Sequence, residues 1–433
     1  MIRLCLNNVR RCHSVQARPS LGFVCGSAAC LTLTSVSAFA QQSLTSSLTG
    51  PAAIEARHVD PASLPYTVKS GDFRLLITPS LGLDWNDNVG ISQKAAVDDF
   101  ILRPLLQFNA SYPVTANNIL TLSLGVGYDL YLKHNEYSGP RVLSGSELSY
   151  DIYVRDFWIN LHDHAKYTQD SAGEAAVANT GNYGGLDNLI GFSATWDLRD
   201  LVLTLGYDHE NFIASSSEFS DLDRASELPS ARAGFRLNPR LTVGLEGSVS
   251  FTAYDQHVLN DNTGYSGGLY GDWRPGSAFS VNARAGYAYY SFEQTSLHVR
   301  AVDQDSWYAG ITLQHAITEA LAYSLSAGHE LRLGVQADSA EDTYVRPGIT
   351  WRLTKDVSLQ GSFSYEHGTQ GAAGAGGLAE TYDYFGAGFG FSRAITKKLT
   401  ASLNYRLTLR SSDSTARGYA QDVVGLLLTY KLQ

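Results

Sequence analysis

Polar and apolar residues alternate without a break over Leu399–Arg410. Leu399, Ala401, Leu403, Tyr405, Leu407 and Leu409 hold one parity; Thr400, Ser402, Asn404, Arg406, Thr408 and Arg410 hold the other. Period-2 alternation over this length predicts a β-strand with one apolar and one polar face. The rhythm returns at Leu120–Tyr128, Leu241–Leu245, Leu321–Leu325 and Val357–Tyr365. Eight short polar turns precede such strands, at 114–118, 154–156, 197–200, 238–240, 274–277, 318–320, 354–356 and 396–398, spaced about 36 to 44 residues apart. Longer polar loops separate them, among them 133–144, 168–184, 214–225 and 368–379. Two strands per turn give sixteen, and Phe73–Trp85 and Tyr419–Leu432 add one at each end.

Strands of about ten residues with short turns on one side and long loops on the other are the signature of an outer-membrane barrel. The pattern predicts an all-β chain: a transmembrane antiparallel up-and-down β-barrel of 18 strands, with 16 as the fallback, over residues 72–433. A propeller is the competing architecture for a repeat of this length, but it needs four short strands per blade. Trp158, Trp196, Trp273 and Trp351 lie near short turns, where an aromatic belt meets the membrane interface, although alternation puts Trp158 on the inward face. Tyr128, Tyr207, Tyr254, Tyr289 and Tyr365, at the other strand ends, are expected to form the second girdle.

The N-terminus changes the picture of where the chain acts. Arg3, Arg10, Arg11 and Arg18 precede the apolar stretch Leu21–Val36 and the small-x-small site Ala38-Phe39-Ala40. Residues 1–40 therefore read as a secretory signal peptide cleaved after Ala40, too short in its apolar run for a membrane span. Residues 41–71 read as a flexible periplasmic lead-in. All 4 cysteines, Cys5, Cys12, Cys25 and Cys30, fall in the signal segment, so the exported chain has no thiol chemistry. The formal charge of −10 becomes more acidic once the four arginines leave, which argues against a nucleic-acid partner.

The segment Pro79-Ser-Leu-Gly-Leu-Asp-Trp-Asn-Asp-Asn-Val89 resembles the opening strand and Asp-Asn loop of the β-barrel porin 2 family of Gram-negative outer-membrane proteins, and the hairpin cadence is similar over residues 70–433. The resemblance implies a wide barrel which, in some members, is encoded beside exopolysaccharide-export machinery. One departure stands at the C-terminus, which ends Leu432-Gln433 where such barrels usually end in an aromatic residue.

Candidate chemistry is sparse. His162 and His164 share one strand face, but two ligands make no metal site, and lumen side chains are the better reading. The glycine-rich run Gly368–Gly377 lacks the Lys-Ser/Thr of a phosphate cradle. His209, His329 and His367 each adjoin an acid, Glu210, Glu330 or Glu366, with no nucleophile signature; no enzyme and no cofactor are expected. The polar face carries the remaining signal. Its channel-lining acids are Asp129, Glu147, Asp151, Asp208, Glu210 and Glu246; its channel-lining bases are Arg74, Arg103, Arg284, Arg332, Arg346, Arg352, Arg406 and Arg410. Lys166, Arg232, Arg236, Glu330 and Glu366 break the sorting. Either the lumen mixes charges, as any wet lumen does, or a transverse field crosses the pore.

These features predict a channel for hydrophilic material in the bacterial outer membrane. The expected partners are outer-membrane lipid, the barrel assembly machinery and, through the resemblance, a periplasmic polysaccharide-export protein with its polysaccharide. A general small-solute porin is the alternative, and a barrel enzyme a remote one.

Overall fold

The computed structural model describes residues 65–297, 300–371 and 379–432. The signal segment, most of the lead-in and most of the glycine-rich run Gly368–Gly377 lie outside these residues. Nineteen strands follow in chain order. They begin with β1 (Val68–Ser70), β2 (Phe73–Asn86), β3 (Asp99–Thr115), β4 (Asn118–Tyr131), β5 (Gly139–Val154) and β6 (Phe157–Tyr167). Next come β7 (Gly185–Asp197), β8 (Leu201–Ala214), β9 (Arg224–Asn238), β10 (Leu241–Tyr254), β11 (Asn262–Gly276) and β12 (Phe279–Phe292). The series ends with β13 (Gln304–Ala316), β14 (Leu321–Leu333), β15 (Ser339–Arg352), β16 (Val357–Gln370), β17 (Glu380–Ala394), β18 (Leu399–Ser412) and β19 (Tyr419–Tyr430).

From β2 to β19 each strand pairs antiparallel with the next, and β19 returns to β2, so eighteen strands close a barrel. The short β1 pairs with the start of β2, so the end of the expected flexible lead-in is ordered strand instead. All eight short turns join the strands the alternation assigns them. Thr318, Thr354 and Thr396 close three of them by accepting backbone N–H groups two or three residues on, which replaces the ladder bonds lost at the turn.

Burial is inverted relative to a soluble protein. Leu403 is 50% exposed while its neighbour Ser402 is 2% exposed, and the same contrast runs round the wall. An apolar outer face and a polar inner face suit a barrel that meets hydrocarbon outside. Trp196, Trp273 and Trp351 stand exposed near the short-turn end. Trp158 instead points inward and donates its indole N–H to Asp151 at 2.9 Å. At the long-loop end Tyr128, Tyr207 and Tyr289 are exposed, but Tyr254 is buried on the inner face and leaves the expected girdle. Its parity is that of the lumen side of β10, opposite to Phe251.

Two seams are shorter than the rest. β13 and β14 share eight residue pairs, β19 and β2 seven, and every other seam of the barrel has at least ten.

Candidate functional site

The polar face of the wall encloses the lumen, and the fourteen charged residues singled out above share its register. They are not sorted into two free walls. Asp129 lies 3.5 Å from both Arg103 and Arg141, and Arg103 also pairs with Asp84 at 2.7 Å. Glu210 pairs with Arg224 at 3.0 Å and Glu246 with Arg232 at 2.9 Å. Asp208 meets His162 at 2.7 Å, Glu147 approaches His164 at 3.9 Å, and Asp151 accepts from Trp158 and Asn160.

The later arginines find acids as well. Arg332 pairs with Asp342 and with Glu174 at 3.2 Å, Arg346 with Glu366 at 2.9 Å, and Arg410 with Glu380 at 2.7 Å. Arg406 reaches Gln421 at 3.5 Å and Asp170 at 3.9 Å. Arg284 runs along Gly310, Arg74 lies 5.6 Å from the Tyr66 ring centre, and Arg352 is exposed at the short-turn end. The transverse field is therefore largely quenched into local pairs. A buried charge is expensive unless paired at close range, and acids on neighbouring strands supply the partners.

The histidines take different partners from those beside them in sequence. Glu210 and Glu366 bond to arginines inside the barrel. His209, His329 and His367 instead meet Glu227, Glu341 and Asp383 across the strands at 2.9–3.0 Å. Neighbours in a strand point to opposite faces, so adjacency in sequence separated these groups. His162 holds Asn160 at 2.8 Å and Asp208 at 2.7 Å. Among the described residues no three His, Cys, Asp or Glu side chains are placed to hold a metal ion.

The most consequential element is the loop 168–184, one of the long polar loops expected between strands. It folds into the barrel. Glu174 reaches Arg332 on β14, Arg410 Nε donates to the Ala175 carbonyl at 2.6 Å, and Arg417 donates to the Ala176 carbonyl at 2.8 Å. Asp170 sits between Arg103 and Arg406, 3.9 Å from each. Ala175, Ala176 and Val177 are buried with Ile91, Leu222, Leu259, Val335 and Ala337, which come from four other loops. These residues build an apolar cap across the long-loop end. Tyr183 packs edge-on against Phe219 in the same cluster, with ring centres 4.9 Å apart. The signal was visible in retrospect: Ala175-Ala-Val-Ala178 is an apolar run in a loop that, if fully solvated, had no reason to carry one.

The loops are also stitched by polar contacts. Asp338 accepts the backbone N–H of Asn260 at 3.0 Å and its side-chain N–H at 2.9 Å, while Ser296 N–H donates to Asn260 at 2.9 Å. Burial pushes the Asp338 carboxyl above its ordinary range, against the lowering effect of the two Asn260 bonds.

Residues 231–380, less than half the chain, match the family model described as "Putative MetA-pathway of phenol degradation". No curated protein sequence matches. Among solved structures, the chain is similar to the outer membrane protein opdK of Pseudomonas aeruginosa, at 13% identity over 82% of this chain and 98% of that one, with a TM-score of 0.44. It is similar to a BenF-like porin of Pseudomonas fluorescens Pf-5 at 10% identity, covering 83% and 98% of the two chains, with a TM-score of 0.48. For OccAB3 of Acinetobacter baumannii the figures are 8% identity, 82% and 99% coverage, and a TM-score of 0.45.

Proposed function

We propose that the protein is a passive, non-enzymatic channel of the bacterial outer membrane that admits small hydrophilic solutes. The observation that carries this reading is the inverted wall: eighteen strands with lipid-compatible residues outside and paired charges, amides and hydroxyls inside. A barrel of that strand number encloses an aqueous passage unless loops fill it. Here the loop 168–184 narrows the passage, and movement of the cap sets what enters. The wall's partners in this reading are outer-membrane lipid and the barrel assembly machinery.

Export of a secreted polysaccharide, the reading that came with the family resemblance, is the weaker one. A polymer needs a wide continuous bore, and a loop held to the far wall by Glu174–Arg332 and to β18 by Arg410 occupies that bore. Planar-bilayer recording of the purified protein, paired with liposome swelling in sugars of increasing size, tests the reading. Conductance with a small-sugar cut-off is expected. Absence of both conductance and swelling would refute it.

A further inference from the structure

In an intact β-wall, side chains on the inner and outer faces do not touch, because the hydrogen-bonded backbone lies between them. The seam between β13 and β14 breaks this rule. Tyr290 and Phe292 belong to the inward register of β12; Tyr289, the residue before them and of opposite parity, is exposed. Leu331 and Leu333 belong to the outward register of β14; Arg332, between them, points inward to Asp342 and Glu174. Yet Tyr290, Phe292, Leu331 and Leu333 form one buried cluster, joined by Ala301. Both leucines are only 5% exposed, where outward leucines elsewhere, such as Leu245 at 57%, stand open.

The ladder explains how this happens. β13 and β14 pair from Ala316↔Ala322 only as far as Ala309↔His329. Beyond that point β13 stays paired to β12 out to Gln304, and β14 stays paired to β15 out to Leu333. Both strands continue while the pairing between them stops. Side chains cross the interval instead. The Trp307 and His329 rings stack with centres 4.0 Å apart, and Ser306 Oγ donates to Glu341 on β15, which His329 Nε2 also meets at 3.0 Å.

We propose that this interval is a lateral portal, through which small apolar aromatic molecules pass between the lumen and the outer leaflet of the membrane. The cluster of Tyr290, Phe292, Leu331 and Leu333 is its plug, and the Trp307–His329 stack is its outer rim. The lining selects the cargo: aromatic faces and leucine methyls accept a flat apolar body, and the Ser306–His329–Glu341 group accommodates at most one hydrogen-bonding substituent. Such a molecule gains nothing from the charged lumen but is stabilised on entering lipid. The cap over the axial mouth leaves the side wall as the route that apolar side chains line from the inner face to the outer. The inference rests on the barrel being membrane-spanning, as above, but not on polar-solute passage, which KCl conductance reports separately.

The test uses the absence of cysteine after Cys30. Ser306→Cys with His329→Cys is bridged by a short reducible bis-methanethiosulfonate linker. Phe385→Cys with Leu409→Cys, a directly paired couple on β17 and β18, is the control. The probe is N-phenyl-1-naphthylamine, which fluoresces on entering membrane hydrocarbon. Cells carrying the wild-type barrel should take it up faster than cells without the barrel. Linking the portal should abolish that excess and reduction should restore it, with KCl conductance unchanged and the control link without effect. Leu331→Ala with Leu333→Ala should raise uptake by emptying the plug. No excess uptake in wild type, full uptake in the linked portal, or an equal loss from the control link would each overturn the proposal. Should the cysteine pair fail to assemble, the alanine pair decides alone, and unchanged uptake overturns it.

Discussion

The two short seams of the barrel look alike in pair count and differ in what completes them. At β19–β2 the shortness comes from strand ends, and polar groups finish the closure. Asn88 Nδ2 donates to the Ala420 carbonyl at 2.9 Å, Gln421 Nε2 donates to the Asn88 carbonyl at 2.8 Å, and Asp422 N–H donates to Asp87 at 2.7 Å. At the other end of that seam Leu432 bridges to Ile77. At β13–β14 neither strand has ended, and the interval holds mainly leucines and aromatic rings, with Ser306 bonding across it to Glu341 and His329. Directional hydrogen bonds tie a join to one geometry, whereas apolar contacts are non-directional and re-form after sliding. The first seam is built to stay shut and the second to part.

The strongest way to break this contrast is Arg332→Gln. It leaves Asp342 and Glu174 as buried acids without their cation, which costs about 3–5 kcal/mol when one partner of a buried pair is removed. Both the outer end of β14 and the loop 168–184 should come loose, seen as a lower unfolding temperature in heat-modifiability gels and a larger, noisier single-channel conductance. Asn88→Ala ranks next. It strips three side-chain hydrogen bonds, one across the closing seam to Ala420 and two to Ser92 in the adjoining loop, and leaves part-buried backbone groups unpaired, at up to about 1 kcal/mol each. The unfolding temperature should fall without any gain in aromatic uptake. Trp307→Ala should do the reverse, raising uptake with little effect on unfolding.

A subtler sharpening uses acidity. The Asp338 carboxyl is held above its usual range by burial, so the folded cap binds a proton more readily than the released loop does. Stability of the cap therefore rises as pH falls through that raised pKa and is lost as pH climbs above it. Open probability should decline on mild acidification, and Asp338→Asn should flatten the response. The smallest effect is expected for Arg352→Gln: an exposed end-of-strand charge, whose loss should shift ion selectivity slightly at low salt and leave stability unchanged.

Strand count, turn positions and faces were legible because lipid imposes a strict period on every strand. Leu403 against Ser402 shows how directly that period reads out. Partners were not legible, because they depend on the stagger between strands, which alternation within one strand does not encode. Glu366 looked like an intruder among the bases and is the partner of Arg346. Tyr254 looked like a girdle residue until its parity was set by the observed register. The portal left even less trace, since β13 and β14 each alternate normally and only their divergence gives Leu331 and Leu333 a different role.

The closing seam has a consequence for how the molecule comes into being. Asn88 and Ala420 are 332 positions apart along the chain, whereas every other seam joins strands consecutive in sequence. Hairpins can zip locally and early, but this join must await delivery of the final strand, when the entropic cost of bringing distant segments together falls due. Until then β19 and all but the start of β2 present unpaired edges, the feature that invites aggregation. Slowed completion with normal early hairpins is thus the kinetic mark that changes at Asp87, Asn88 or Gln421 should leave on a nascent barrel.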